Sequence, residues 1–282
     1  MAVSETFTRL RTSAWLGWQV ESNWADPVVF FIYLIARPLA VALTLAAMYA
    51  ATRSTATQGA AFAGFYVANA FHAYVNTMVV GMGWVIFEER EESEMLKYVY
   101  VSPMGLVTYI GGRSFVRFVL GSISAALMLV VGWFLLGVRW DWSLTQPLPL
   151  AVTLVAGLAA TLAAGYLLSG VAMVLTRSAM TVLEGCMLGL YLLCGVIFPV
   201  DLMPVWIRPL SYALPFTWWY ECLRRFLLGH GSSAWMNTLS DAQLLGAMLA
   251  VCVGFSLVAA FGYRALDRLA RRLGRLDQTT MF

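Results

Sequence analysis

Charge is scarce in this chain. Only 12% of its 282 residues are Asp, Glu, Lys or Arg, and 61% are hydrophobic, whereas a soluble domain carries about 25% charged residues. The charges that exist are clustered, leaving long stretches almost free of them. That pattern excludes a water-soluble globule and leaves room for one membrane domain with little besides. A net charge of +3 is too weak to imply nucleic acid. The two histidines, His72 and His230, lie far apart. The four cysteines, Cys186, Cys194, Cys222 and Cys252, have no metal-ligand spacing. No metal site and no disulfide framework follow, and the thiols read as buried and inert. There is no Gly-x-x-x-x-Gly-Lys-Ser/Thr loop, no Ser-His-Asp pattern, and no pair of acids in a soluble domain. The sequence therefore offers no catalytic residue and no cofactor-binding residue, and any nucleotide hydrolysis must come from another chain. No short apolar core followed by a small-residue cleavage site marks a secretory signal peptide. No internal repeat is visible, which counts against a secondary transporter built from paired broken helices.

What is present is length in apolar runs. A hydrocarbon core needs about 20 apolar helical residues, and six stretches meet that length. They run from Val28 to Ala51, Ala60 to Phe87, Phe115 to Val138, Leu148 to Thr176, Ala179 to Phe198 and Ala242 to Tyr263. The fold class expected is an all-α integral membrane protein of six transmembrane helices. Twelve Lys and Arg fall on one set of connections (Arg9, Arg11, Arg90, Lys97, Arg113, Arg117, Arg177, Arg264, Arg268, Arg271, Arg272 and Arg275). Five fall on the other (Arg53, Arg139, Arg208, Arg224 and Arg225). The positive-inside rule puts both termini in the cytoplasm, as an even number of spans requires, and the localisation expected is the cell membrane.

Residues 1–27 read as a cytoplasmic segment with an interfacial helix. Phe7, Leu10, Ala14 and Trp18 share a face, tryptophans Trp15, Trp18 and Trp24 favour the headgroup boundary, and Asp26-Pro27 turns the chain into the first span. Residues 28–263 form the membrane domain. Residues 264–282 read as a basic cytoplasmic tail held by anionic lipid.

Between the second and third spans, Glu88, Glu89, Arg90, Glu91, Glu92, Ser93 and Glu94 precede an apolar-aromatic run that reaches Ser102-Pro103. Acid-first order predicts a helix along the membrane surface, its N-terminal dipole stabilised by carboxylates. On composition alone this is either a solvated charge run that holds an interfacial helix or a helix that docks a partner. In the second span, Asn69, His72 and Asn76 sit at spacings of three and four residues, with Phe62 and Phe65 extending the stripe. They read either as a cavity wall touching a substrate or as interhelical hydrogen-bonding groups. Arg37, beside Pro38 in the first span, is expected to snorkel, to pair with an acid such as Glu184, or to face a cavity. Gly81, Gly83, Gly185 and Gly189 suit close helix contacts.

Two motifs carry more than composition. The first joins Glu89-Arg90-Glu91, Leu96-Lys97-Tyr98, Ser102-Pro103 and Gly112-Arg113. The second runs through Gly195, Phe198-Pro199, Leu202, Pro204, Trp206, Pro209, Pro215, Thr217, Glu221, Arg224 and Gly229. In order and spacing both resemble the signatures of the ABC-2 family of ABC-exporter membrane subunits. Ser93-Glu94 departs from the Gly-Thr that many members carry. The resemblance and the six-span layout together cover nearly the whole chain.

The resemblance implies a coupling helix, with Glu89, Arg90, Glu91, Leu96, Lys97 and Tyr98 set in a groove of a separate ABC ATPase. That subunit would be present in two copies, and ATP and Mg would be bound there. It implies short re-entrant helices that cap the pathway, carried by Phe198, Pro199, Pro204, Trp206, Pro215, Glu221 and Arg224. Glu221 and Arg224 stand i, i+3 and are placed to pair. The alternative is a plain interfacial loop whose Trp218, Trp219 and Tyr220 sit among headgroups. A second permease subunit, identical or related, would complete a cavity lined by Phe65, Asn69, His72 and Asn76. The function implied is export of a drug-like, lipid or natural-product amphiphile. The alternatives are a polysaccharide-exporting permease or, less favoured, a membrane-embedded lipid-modifying enzyme, which the sequence supplies with no partner set for its acids.

Overall fold

The computed structural model of the chain describes residues 2–23, 26–51, 58–135, 143–176 and 178–275. Trp24, Arg53, Arg139, Arg177, the expected end of the third span at Val138, and the tail beyond Arg275 lie outside these. The described residues are helical, with turns and short irregular connections between helices and no strand among them. Among the described residues, five helices are long and apolar enough to cross a membrane, and a sixth apolar helix is shorter.

Helix α1 spans Ala2–Ser22 and α2 spans Pro27–Ala51. Asp26 starts α2 as expected, its carboxylate accepting from the Val28 amide at 2.9 Å. Helix α3 (Gln58–Val75) and α4 (Gly81–Phe87) form one rod, interrupted by a π turn at Asn76–Val80 and extended by a second at Glu88–Glu92. A short α5 (Leu96–Val101) follows, then α6 (Leu106–Leu135) and α7 (Pro147–Val174). Helix α8 covers Ala179–Leu193, α9 Arg208–Ala213, α10 Pro215–Leu228 and α11 Asp241–Arg272. A Ser240–Gln243 capping box starts α11, each side chain accepting from the other's backbone amide.

The main core joins α3, α6, α7, α8, α10 and α11. Helix α7 is the hub, packed on α11, α10 and α4, while α6 collects α1, α2 and α3. Small residues set the closest approaches. A Cβ on Gly157 would sit 2.1 Å from the Trp219 Nε1, and one on Gly165 would sit 2.3 Å from the Met82 Sδ. A side chain at either position would force its neighbour to shift.

Three boundaries and one packing face differ from the sequence reading, each for a visible reason. Helix α6 starts at Leu106 and carries Arg113 and Arg117 inside it, because partners from α1 and from the Glu88–Glu92 turn neutralise both. Helix α8 stops at Leu193, with 15 residues, about 22 Å of rise against a core of about 30 Å. Gly195 then takes φ +71°, and the Pro199 ring forbids helical continuation. Helix α11 runs past Tyr263 to Arg272, because Ala270 is fully buried in a second core with Leu96, Met173 and Leu183. Helix α1 docks on α6 through Ser13 and Gly17, both buried, and not through the Leu10-Trp18 face. The Ser13 hydroxyl donates to the Tyr109 carbonyl at 2.7 Å, and a Cβ on Gly112 would overlap the Ser13 side chain. Leu10, Trp15, Leu16 and Trp18 are left exposed.

Candidate functional site

A cleft of about 870 Å³ opens between α1, α2, the α3–α4 rod, α6 and α8. Asn69, His72 and Asn76 all lie on its wall; Phe65 does not, and instead leans on Phe62 at 6.5 Å between ring centroids. The stripe lines the cleft and also hydrogen-bonds to neighbouring helices. Asn69 Oδ1 accepts from the Tyr191 hydroxyl at 2.7 Å, and His72 Nδ1 lies 2.9 Å from the Tyr220 hydroxyl. Asn76 and Thr77 sit at the first π turn. A π turn inserts one residue into the helical register and is frequent at functional sites. Here it places both side chains on the same wall as His72. Arg37 also faces the cleft.

At one end of the cleft the acidic run does not open the expected surface helix, and α5 starts only at Leu96. Glu88–Glu92 is the last turn of the α3–α4 rod, not the first turn of a new helix, so no N-terminal dipole holds these carboxylates. Nor is this a solvated charge run. Glu89, Arg90 and Glu91 are 6%, 1% and 3% exposed. Buried charges persist only when paired and hydrogen-bonded, and these are. Arg113 Nη1 donates to Glu89 Oε1 at 2.5 Å and Nη2 to Glu88 Oε2 at 2.9 Å, while the Tyr109 hydroxyl donates to Glu89 as well. Arg90 Nε donates to Glu91 at 2.9 Å, and its terminal nitrogens reach the carbonyls of Ala172, Leu175 and Thr176. Arg90 thus caps the carbonyl end of α7, a place where cations suit both the free oxygens and the helix dipole. Arg117 pairs with Glu21 of α1 at 3.0 Å.

The set Glu89, Arg90, Glu91, Leu96, Lys97 and Tyr98 is thereby divided. The first four are buried within the chain, and Lys97 and Tyr98 are exposed, as are Met95 and Val101. Tyr100 turns the other way. Its hydroxyl donates to Asp267 of α11 at 3.3 Å, and the Arg271 guanidinium lies over its ring at 5.6 Å. Burial, reinforced by the Asp267 carboxylate, raises the Tyr100 phenol above its ordinary value.

Beyond the far end of α8, the second motif folds into a buried plug. After the Val200–Leu202 turn and α9, every residue of α10 except Arg225 is buried, so Trp218, Trp219 and Tyr220 lie inside the protein. Irregular backbone survives in a bilayer only where protein or water satisfies it, and Arg224 does so here. It is 3% exposed and donates to the carbonyls of Gly64 (2.9 Å), Gly195 (2.7 Å) and Val196 (3.3 Å). It also pairs with Glu221 at 3.3 Å, the i, i+3 contact expected from spacing. Glu221 in turn accepts from the Ser233 amide at 2.8 Å. Gly229 ends α10 in the left-handed region, φ +80°. Pro215 opens α10; Phe198 and Pro199 are half-buried; Pro204 and Trp206 are exposed, Trp206 by 80%.

Sequence reasoning missed Glu21, Tyr109, Arg117 and Tyr191. Each reaches its partner from a distant helix, so no local pattern marks it. Among the described residues, no three His, Cys, Asp or Glu are grouped to hold a metal. Residues 10–228, from α1 to the end of α10, match the family model described as ABC-2 type transporter. No curated protein sequence matches the chain.

Proposed function

The chain belongs to the ABC-2 type transporter family, and on that premise we propose that it is the membrane permease of an ATP-driven exporter of amphiphiles. In this reading the ATPase is a separate subunit, as membership of the family implies. It is expected in two copies, with ATP and Mg held there. The observation that carries the reading is a shared turn. Glu88 and Glu92 of one π turn line the cleft, while Glu89, Arg90 and Glu91 of the same turn are locked to α6 and α7. The exposed face of α5 begins four residues later. A push on Lys97, Tyr98 and Val101 would therefore reach the cleft wall through paired, buried groups with little slack. Glu89, Arg90, Glu91 and Leu96 serve as the rigid mount of the coupling helix, and Lys97 and Tyr98 as its contact face.

The topology that fits is six spans with both termini cytoplasmic. Helix α8 is the short fifth span, and α9 with α10 forms a re-entrant cap whose exposed Trp206 meets the outer headgroups. The Lys and Arg asymmetry supports this orientation. The exposed aromatic residues of α1 suit the inner headgroup layer. A second permease copy fits against α8, where added Cβ atoms on Gly185 and Gly189 would meet nothing within 4 Å and Leu188 and Leu192 are exposed. Close small-residue packing of this kind drives helix association in lipid. The half-cleft would then close across the twofold axis. Its mixed lining of Asn, His, Met and aromatic side chains suits an amphiphile better than a polysaccharide.

The test is co-expression with an ABC ATPase, expected from a neighbouring reading frame, and reconstitution of the pair. Tyr98→Ala with Lys97→Glu should leave insertion and permease folding unchanged while uncoupling ATP hydrolysis from cargo movement. Transport by the permease without any ATPase, or unaltered coupling in the double variant, would sink the proposal.

A further inference from the structure

Two of the charges that line the cleft, Arg37 and Glu92, have no ion-pair partner among the described residues. Five charged residues line it: Glu21, Arg37, Glu88, Glu92 and Arg117. Glu21 and Arg117 neutralise each other at 3.0 Å, and Glu88 is held by Arg113 at 2.9 Å. Glu92 ends the rod in an exposed position. Arg37 is exposed to the cleft and has no hydrogen-bond or ion-pair partner among the described residues. It stands ten residues into α2, about 15 Å along the axis, near the middle of a core of about 30 Å. Glu184, the acid that sequence suggested for it, is exposed on α8 and absent from the cleft lining.

An unpaired guanidinium at that depth is costly unless water or an anion meets it. Its planar fork matches a carboxylate or phosphate with two parallel hydrogen bonds. The surroundings supply what such a ligand needs. Asn69, Asn76 and Thr77 add neutral polar groups on the opposing rod, and Leu34, Val41, Leu120 and Met128 provide apolar wall. We propose that Arg37 anchors the acidic headgroup of an amphiphile, a carboxylate or phosphate ester whose apolar chain lies along that wall. This deepens the reading of the cleft as the cargo path and rests on it for calling the ligand cargo. The same acidic chemistry could arrive on a dispersed amphiphile or on an anionic bilayer lipid.

The test uses the full chain in nanodiscs of phosphatidylcholine, without ATP or ATPase. The probes are a dansyl-labelled undecanoic acid, its carboxamide, and the matching quaternary amine. The wild type should bind the acid about tenfold or more tighter than the carboxamide, as expected for one charge-assisted contact in a partly dry site, and should bind the amine weakest. Arg37→Gln should abolish the preference while keeping carboxamide affinity, and Arg37→Lys should retain part of it. Replacing part of the neutral lipid by phosphatidylglycerol separates the sources. Displacement of the acid probe assigns the site to bilayer phosphate, and persistence assigns it to a dispersed acid. A wild type that binds acid and carboxamide equally, or an Arg37→Gln variant that still prefers the acid, would overturn the proposal. The wild-type comparison needs no variant to fold. Since no ATP is used, its failure leaves the Tyr98 coupling test standing, and failure of coupling leaves the anion site standing.

Discussion

Arg224 and Arg225 are sequence neighbours in opposite situations, and replacing each by Met separates a structural charge from a superficial one. Arg224 is buried and donates to three carbonyls and to Glu221. Met fills the aliphatic volume but removes every donor. The Glu221 carboxylate then keeps only the Ser233 amide, and Gly195 and Val196 lose the guanidinium at the break after α8. Removing one member of a buried ion pair costs about 3–5 kcal/mol. The three freed carbonyls add to that wherever water cannot reach them. Arg225 pairs with Asp241 at 2.6 Å, but Asp241 is 41% exposed, and such pairs contribute about 0–1 kcal/mol. The measurement is reversible unfolding of the full chain in mixed micelles, repeated for Glu221→Gln and for Glu221→Gln with Arg224→Met. Arg224→Met should cost several times more than Arg225→Met. The double change should cost less than the sum of its parts, because the orphaned carboxylate is gone. Equal costs for the two arginines, or additivity within about 0.5 kcal/mol, would refute the staple.

Gly157→Ala forces a Cβ into Trp219, and overpacking of this kind should cost about 1–3 kcal/mol. Gly254→Ala, where nothing lies within 4 Å, should be neutral in the same unfolding assay. Arg113→Gln leaves Glu88 and Glu89 without their cation, so it should destabilise the chain by about 3 kcal/mol or more. Adding Glu89→Gln should restore part of that loss, read by the same unfolding curve. Gly185→Ile should leave monomer unfolding unchanged but lower the dimer fraction in lipid, followed by crosslinking or single-molecule photobleaching; an unchanged dimer fraction would remove α8 from the proposed interface.

Hydropathy located every long apolar helix among the described residues but misplaced ends where charge enters the core. A search for apolar runs stops at Arg113 and at Arg264, and cannot see that Glu88, Glu89 and Glu21 make the first ionic stretch part of α6, or that Ala270 draws α11 onward. Glu221–Arg224 was readable because both partners lie on one helix, three residues apart. Glu89–Arg113–Tyr109 was half readable. Glu89 and Arg113 were singled out and Tyr109 was not, and the burial of all three depends on how the rod crosses α6. The π turns left no trace, since one inserted residue shifts a helical face without altering composition. Asn69, His72 and Asn76 showed as a polar stripe, while Phe65 lay within the same periodic reading and packed elsewhere.

The C-terminal end of α11 bears on protein engineering. Hydropathy would place a fusion junction or truncation just after Tyr263. Such a cut would delete Asp267 and Arg271, which hold Tyr100, Ala270, which seals the second core, and Arg275, which donates to the Val174 carbonyl. The shortened protein would keep all its apolar helices and still lose the brace behind α5, so reporters and affinity tags belong downstream of Arg275.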